Sequence, residues 1–204
     1  MNESSSGNKF IAFSELVLRL AYLNFLWMIF TIFGFVLFGF WPSTVAMYAV
    51  IRRWDRGNNE VKTFNIFWEV YKNEWKTSNF IGGVMLVTGL VIYINLTYIL
   101  SFNGILSNAG QFALGMTLLV WFIQVLYLPA AIVYYDLKIK DYFKQVIIIF
   151  LLKPIHTCGM VFAILIVIYL IYLFPASFIF FGGSVVAYIV SKVIFKDLVG
   201  ECGK

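Results

Sequence analysis

Residues 16–40 read LVLRLAYLNFLWMIFTIFGFVLFGF, a run of 25 residues with a single charge, Arg19, near its start. A helix needs about 20 consecutive apolar residues to cross a hydrocarbon core about 30 Å thick, so this run can span with some tilt. It is too long for the apolar region of a cleaved leader, and no A-x-A-like site follows it. It reads as a retained first span. Arg19 is close enough to the end to snorkel its guanidinium into water. Asn24 lies deeper, where a hydrogen bond to a neighbouring helix contributes only about 0.6 kcal/mol on average.

Working outward, the same kind of run recurs. Apolar stretches at about 80–100, 112–135, 155–174 and 176–195 predict four further spans. The 204 residues are 62% hydrophobic, 20% aromatic and only 12% charged, with mean hydropathy +0.89. A soluble chain carries about 25% charged residues, so this one has too little polar surface to cover a water-soluble fold. The runs are continuous rather than alternating, which excludes the strands of a membrane barrel. The fold class is therefore an all-α membrane protein, a bundle of five transmembrane helices. One membrane domain covers 16–196, after a short polar segment at 1–15 and before a tail at 197–204. Gly183, Ala187 and Ser191 recur at every fourth position of the last span. They are small enough to let helices approach closely, either within the bundle or as a homo-oligomer seam.

Between the first two spans lies Trp41–Ser78, WPSTVAMYAVIRRWDRGNNEVKTFNIFWEVYKNEWKTS. It holds six of the fifteen Lys and Arg and four of the ten Asp and Glu. Pro42 suits the first turn of a helix, and Val45–Ile51 is apolar almost all round. Arg52, Arg53, Trp54, Asp55 and Arg56 then meet water. Gly57-Asn58-Asn59 is turn chemistry, and Thr63 can cap a second helix. In that helix Phe64, Phe67, Trp68, Tyr71 and Trp75 form one aromatic stripe, opposite Asn65, Glu69, Lys72, Asn73 and Lys76. The pattern predicts an amphipathic helical hairpin, with interfacial helices at about 42–56 and 63–78. A third interfacial helix is expected at 141–152, within the charged segment 136–153.

Lys and Arg are dense in the first and third connections and absent from the second and fourth. By the positive-inside rule the first and third connections and the C-terminus are cytoplasmic. Five crossings then put the N-terminus outside, opposed only by Lys9 and Arg19. Arg52, Arg53, Trp54, Arg56, Phe67, Trp68, Lys72 and Lys76 are the candidate residues for docking a partner or for fixing topology.

No catalytic, metal or cofactor set is visible. His156 is the only histidine, and Cys158 and Cys202 lie far apart in sequence. No phosphate-binding loop, zinc-protease motif or nucleophile elbow occurs. No carboxylate falls in mid-span, where an ion-coupled carrier would need one. The net charge of +5 is spread over connections rather than gathered on a nucleic-acid-binding face.

Asn24-Phe25-Leu26-Trp27, then Gly34 and Gly39, then Pro42-Ser43-Thr44-Val45-Ala46-Met47-Tyr48 stand in order. They are followed by a short basic segment and by Phe67, Lys72 and Ser78. This order resembles the YesL-like bacterial membrane proteins, a family catalogued as domain of unknown function 624. The resemblance implies structural roles for Asn24, Trp27, Gly34, Gly39, Pro42, Ala46 and Tyr48, a bacterial plasma membrane, and no catalytic residues. It also implies genomic company: carbohydrate-uptake transporters of the ATP-binding-cassette type and polysaccharide-degrading enzymes. The expected function is a partner component of carbohydrate uptake, with such a transporter as the partner and the lipid bilayer as the solvent. The alternative is a bundle that moves a small solute, such as a sugar, by itself.

Overall fold

Hydrocarbon offers no partner to a backbone N–H or C=O, so each apolar run closes its hydrogen bonds within a helix. The computed structural model describes residues 3–57, 62–101, 105–135 and 137–202, with side chains over 11–57, 62–101, 107–135 and 137–194. Every regular element among them is helical. In order they are α1 (Glu3–Phe33), α2 (Leu37–Asp55), α3 (Thr63–Asn73), α4 (Trp75–Ile99), α5 (Ile105–Tyr134), α6 (Ile139–Leu152), α7 (Pro154–Leu173), α8 (Ser177–Phe181) and α9 (Ser184–Cys202). Five segments are long and apolar enough to cross a membrane: Ile11–Phe33, Trp75–Ile99, Ser107–Tyr134, Pro154–Leu173 and Ser177–Ile194. The chain is an all-α membrane protein.

The first expected span, 16–40, is cut at Phe33. Three residues reverse the chain, and α2 begins at Leu37. The reversal closes α1 with the hydrogen bonds of a Schellman motif. Val36 N–H donates to the Thr31 carbonyl at 2.8 Å and Phe35 N–H to the Ile32 carbonyl at 3.0 Å. Phe35 takes the left-handed position usually given to glycine, at φ 56°, and Val36 follows at φ 62°. Gly34 and Gly39 let the two helices meet backbone to backbone here. A Cβ on Gly39 would lie 2.5 Å from the Thr31 carbonyl oxygen and 2.7 Å from that of Phe30.

The interfacial helix expected at 42–56 is therefore corrected. Those residues belong to α2, which packs against α1, α3, α4, α5 and α9. Val45 to Ile51 are 0–8% exposed. A helix that is apolar on all sides is stable only when it is surrounded, and here the surroundings are other helices. The 19 residues of α2 extend about 28 Å at about 1.5 Å per residue. Pro42 lies inside this helix rather than in its first turn, because the helix starts five residues earlier. Beside it the Thr44 hydroxyl donates to the Phe40 carbonyl at 2.6 Å, and the Ser43 hydroxyl meets that of Thr31 at 2.8 Å.

The second helix of the expected hairpin, 63–78, is also redrawn. α3 ends at Asn73, and Trp75 already begins the membrane helix α4. Part of the aromatic stripe faces protein. Phe67 and Tyr71 are buried, each with its ring centroid 5.1 Å from that of Phe30 in α1. Phe64 and Trp68 also reach Phe30 and keep an exposed edge. α6 packs along α5 through Tyr142, Val146 and Ile149.

The fifth expected span, 176–195, is interrupted. α8 stops at Phe181 and α9 starts at Ser184. The side chain of Asn24, fully buried in α1, fills the break. Its Nδ2 donates to the carbonyls of Phe178 (3.1 Å) and Ile179 (2.7 Å), and its Oδ1 accepts from the N–H groups of Gly183 (2.9 Å) and Ser184 (3.1 Å). Two further bonds tie α2 into the bundle. Trp27 Nε1 donates to the Thr44 hydroxyl at 3.0 Å, and the Tyr48 hydroxyl donates to the Leu126 carbonyl at 3.4 Å. Ala187 and Ser191 are buried inside the bundle, so the small-residue stripe is internal packing and not an exposed seam.

The helices form three hairpins, α1–α2, α4–α5 and α7–α9. Each is built from a stretch without Asp, Glu, Lys or Arg: 20–51, 77–135 and 154–191. Glu15 and Arg19 of α1, Asp55 at the end of α2 and Lys192 of α9 line one recess, so these three helices meet at one end. The expected turn at Asn58-Asn59, Asp136, and the last two residues of the tail lie outside the described residues.

Asn24→Leu removes the partner of the Gly183 and Ser184 N–H groups and of the Ile179 carbonyl, and leaves the Phe178 carbonyl with Gly182 N–H as its donor. Each buried unpaired group costs about 1–3 kcal/mol, so unfolding of the purified protein in mild detergent should be easier by about 3 kcal/mol or more. Asn24→Asp, which keeps the acceptor, should lie between wild type and Asn24→Leu. A wild-type melting profile for Asn24→Leu contradicts the bridging role.

Candidate functional site at the charged end

The carbonyl end of a helix favours cations and disfavours a carboxylate. Arg52 and Arg53 therefore suit the last turn of α2, and Asp55 does not. Its carboxylate is also buried, with the side chain 2% exposed. Other helices supply what it needs. Lys192 of α9 forms an ion pair with Oδ1, and the Tyr134 hydroxyl of α5 donates to Oδ2 at 3.4 Å. Lys192 also lies 5.1 Å from the centre of the Tyr188 ring.

Arg52 faces the other way. One Nη donates to the Val133 carbonyl of α5, and the guanidinium carbon sits 5.3 Å from the centre of the Tyr134 ring. Its Nε is buried and meets no acceptor among the described residues. Tyr134 is thus shared, with its hydroxyl on the acid and its ring under the base.

Two recesses flank the end of α2. One, of about 300 Å³, lies among Glu15, Arg19, Trp54, Asp55, Tyr188 and Lys192. Glu15 and Arg19 are themselves an ion pair one turn apart on α1. The other, of about 330 Å³, brings Arg52, Arg53, Arg56 and Glu74 together over Ala49 and Ile66. A third and wider recess, of about 770 Å³, runs from Glu74 and Thr77 to Lys138, Lys140 and Asp141. It joins the first and third charged segments at the same end of the bundle.

The eight candidate docking residues do not form one surface. Arg52, Arg53 and Arg56 share a recess, while Trp54 lines the opposite one. Phe67 is buried in the core, and Trp68 stacks on Tyr71. Lys72 Nζ lies 4.9 Å over the Trp68 ring, and Lys76 is exposed in the first turn of α4. The seven motif residues lie elsewhere, at the contacts of α1 and α2. Asn24 bridges the α8–α9 break, Trp27 and Tyr48 tie α2 to its neighbours, Gly34 and Gly39 make the turn, and Pro42 and Ala46 are buried in α2. Sequence reasoning missed Lys192, Tyr134 and Glu74. The first two lie 137 and 79 residues from Asp55, and no local pattern links them. The one available signal was an acid of the wrong sign at a helix end. Among the described residues no three His, Cys, Asp or Glu side chains gather as a metal set.

The family described as "Protein of unknown function, DUF624" matches residues 20–96, from α1 through α2 and α3 into α4. Among curated proteins of Bacillus subtilis (strain 168), the uncharacterized protein YesV is 34% identical over 168 residues, covering 82% of this chain and 81% of the relative. The uncharacterized protein YesL is 30% identical over 185 residues, 90% of this chain and 87% of the relative. The uncharacterized protein YteU is 29% identical over 198 residues, 97% and 89% respectively. No solved structure matches.

Lys192→Met strands the Asp55 carboxylate. Because Lys192 is 46% exposed, water screens part of the loss, and a destabilisation of about 1–3 kcal/mol is expected. Adding Asp55→Asn removes the buried charge and should restore most of it. A double-mutant cycle in detergent reads the coupling, and strict additivity of the two changes excludes the pairing.

Proposed function

The chain belongs to the YesL-like family of membrane proteins, DUF624, and on that premise we propose that it is a partner component of carbohydrate (oligosaccharide) uptake in a bacterial plasma membrane. It carries no catalytic chemistry of its own in this reading. It docks a transporter of the ATP-binding-cassette type through its charged end and the lipid-facing sides of its helices. The genomic company implied by the family resemblance is one support. The observation that carries the reading over independent transport is α2. The centre of the bundle, where a solute path would run, is filled by Val45 to Ile51 in contact with four or more helices. The cavity beside it, of about 220 Å³, is lined by Trp27, Phe40, Trp41, Tyr48 and Pro129 and holds no ionisable acid or base apart from the Tyr48 phenol.

We assign the charged end to the cytoplasm, following the positive-inside rule. The C-terminal helix α9 ends there. In place of the outside N-terminus expected from five crossings, we assign the N-terminus to the same side. Two observations support this. The α2 helix returns over about 28 Å, and Glu15 and Arg19 of α1 share a recess with Asp55 and Lys192. The chain then makes six passes as three hairpins.

Affinity capture from native bacterial membranes in mild detergent should recover subunits of a carbohydrate transporter. Recovery of none, with the bait intact, opposes the partner role. Sugar uptake by liposomes containing this protein alone, above empty liposomes, would favour the independent carrier instead.

For topology, Cys158 and Cys202 are first replaced by Ser. Single cysteines are then introduced by Ser4→Cys and Phe35→Cys. A membrane-impermeant maleimide should label position 35 in intact cells and position 4 only after the membrane is opened. Labelling of position 4 in intact cells restores the outside N-terminus.

A further inference from the structure

We propose that the recess between the end of α2, α3 and the end of α5 is a binding site for a phosphoryl group that carries a neighbouring hydroxyl. The argument starts from charge. Arg52, Arg53 and Arg56 line a space of about 330 Å³, and Glu74 is the one carboxylate lining it with them. Asp55, the acid nearest in sequence, is turned to the opposite recess and is taken by Lys192 and Tyr134. No described ion pair joins any of the three arginines to a carboxylate. Three guanidiniums on one turn of helix, one of them half-buried, repel one another with a single carboxylate to compensate. An anion in the recess relieves that repulsion.

Geometry selects the kind of anion. A guanidinium presents parallel N–H groups that match the oxygens of a phosphoryl group two at a time. Arg52 is already held in position by the Val133 carbonyl and the Tyr134 ring, so it loses little freedom on binding. Arg53 and Arg56 are exposed and can close over the ligand. Glu74 would repel a bare dianion and accepts a hydrogen bond from a hydroxyl beside the phosphoryl group. Below the charges the wall is apolar, with Ala49, Ile66 and Ile132 buried. A space that is basic at its rim and apolar at its floor, set at the end of membrane helices, fits the glycerol phosphate headgroup of an anionic lipid. The same chemistry is present in a soluble glycerol phosphate, and the test separates the two.

Purified full-length protein is delipidated in a neutral detergent and titrated with short-chain phosphatidylglycerol, with phosphatidylcholine, and with free glycerol 3-phosphate. Bound ligand is read by native mass spectrometry. Phosphatidylglycerol should bind at least tenfold more tightly than phosphatidylcholine, with one site per chain. The double variant Arg53→Gln, Arg56→Gln should lose at least tenfold. Lys72→Gln, Lys76→Gln removes the same charge at the same end without touching the recess and should change binding less than twofold. Glu74→Gln should tighten it.

Saturable binding of glycerol 3-phosphate that displaces the lipid supports the site with a soluble ligand as its source. An equal loss in the arginine and lysine variants reduces the effect to general surface charge and overturns the proposal. So does binding of phosphatidylcholine as tight as phosphatidylglycerol without binding of glycerol 3-phosphate. Should the double arginine variant aggregate, Arg56→Gln alone carries the test, with a threefold loss expected and no loss overturning it.

Discussion

Backbone groups in hydrocarbon must find partners inside the protein, and one side chain meets that demand where the helical ladder fails. The α8–α9 helix breaks at Gly182–Gly183. Two carbonyls and two N–H groups around the break have the carboxamide of Asn24 as their partner. An amide is the right group because it offers donors on one side and an acceptor on the other. A carboxylate would lack the donors, and a hydroxyl is too short to reach both edges. The exchange fixes α1 against α8 and α9, and α1 in turn sets α2 through the Trp27–Thr44 bond. The average strength of an interhelical hydrogen bond in membranes, about 0.6 kcal/mol, understates Asn24 because that average describes one bond and not four sharing a single fixed group.

The position of α2 follows from the same solvent. Its last turn is charged, yet seven consecutive residues before that turn exclude water almost completely. With the other helices around it, this segment needs no lipid-facing hydrophobicity, which is why its composition is less apolar than that of a span. Ser43 and Thr44 are tolerated in α2 because the Phe40 carbonyl of their own helix and the Thr31 and Trp27 side chains of α1 satisfy their hydroxyls. The same arrangement accounts for the motif residues clustering on α1 and α2. They are the residues at which these two helices touch each other and the rest of the bundle.

At the charged end, tertiary contacts sort a run of like residues into different tasks. Arg52, Arg53, Asp55 and Arg56 are near neighbours in sequence, and α2 turns Asp55 towards α9 and the arginines towards α3 and α5. Much of this fold is legible from residues alone. The long uncharged runs, the helical class and the membrane solvent are composition and length. The density of charge in two connections was visible too, and both connections do lie at one end of the bundle. The enclosure of 42–51 is not legible in the sequence because an apolar segment looks the same whether lipid or protein surrounds it. The aromatic stripe of 64–75 is divided between protein and surface, with Phe67 and Tyr71 buried and Phe64, Trp68 and Trp75 exposed. Its spacing establishes one greasy face, and only Phe30 shows what that face meets.

By itself the sequence determined the solvent of this protein, the helical class, and the segregation of every charge from three long apolar stretches. These follow from quantities that are local and additive: length, hydropathy and charge. Tertiary structure alone decided where the chain turns back at Gly34–Val36, that α2 is enclosed, that the last span is broken between α8 and α9 and bridged, and which base pairs with Asp55. The turn closes through contacts a few residues apart, and each of the other three depends on the meeting of residues tens to more than a hundred positions apart. Periodicity carries no record of such meetings, because the same local pattern is compatible with several neighbours, and packing chooses among them.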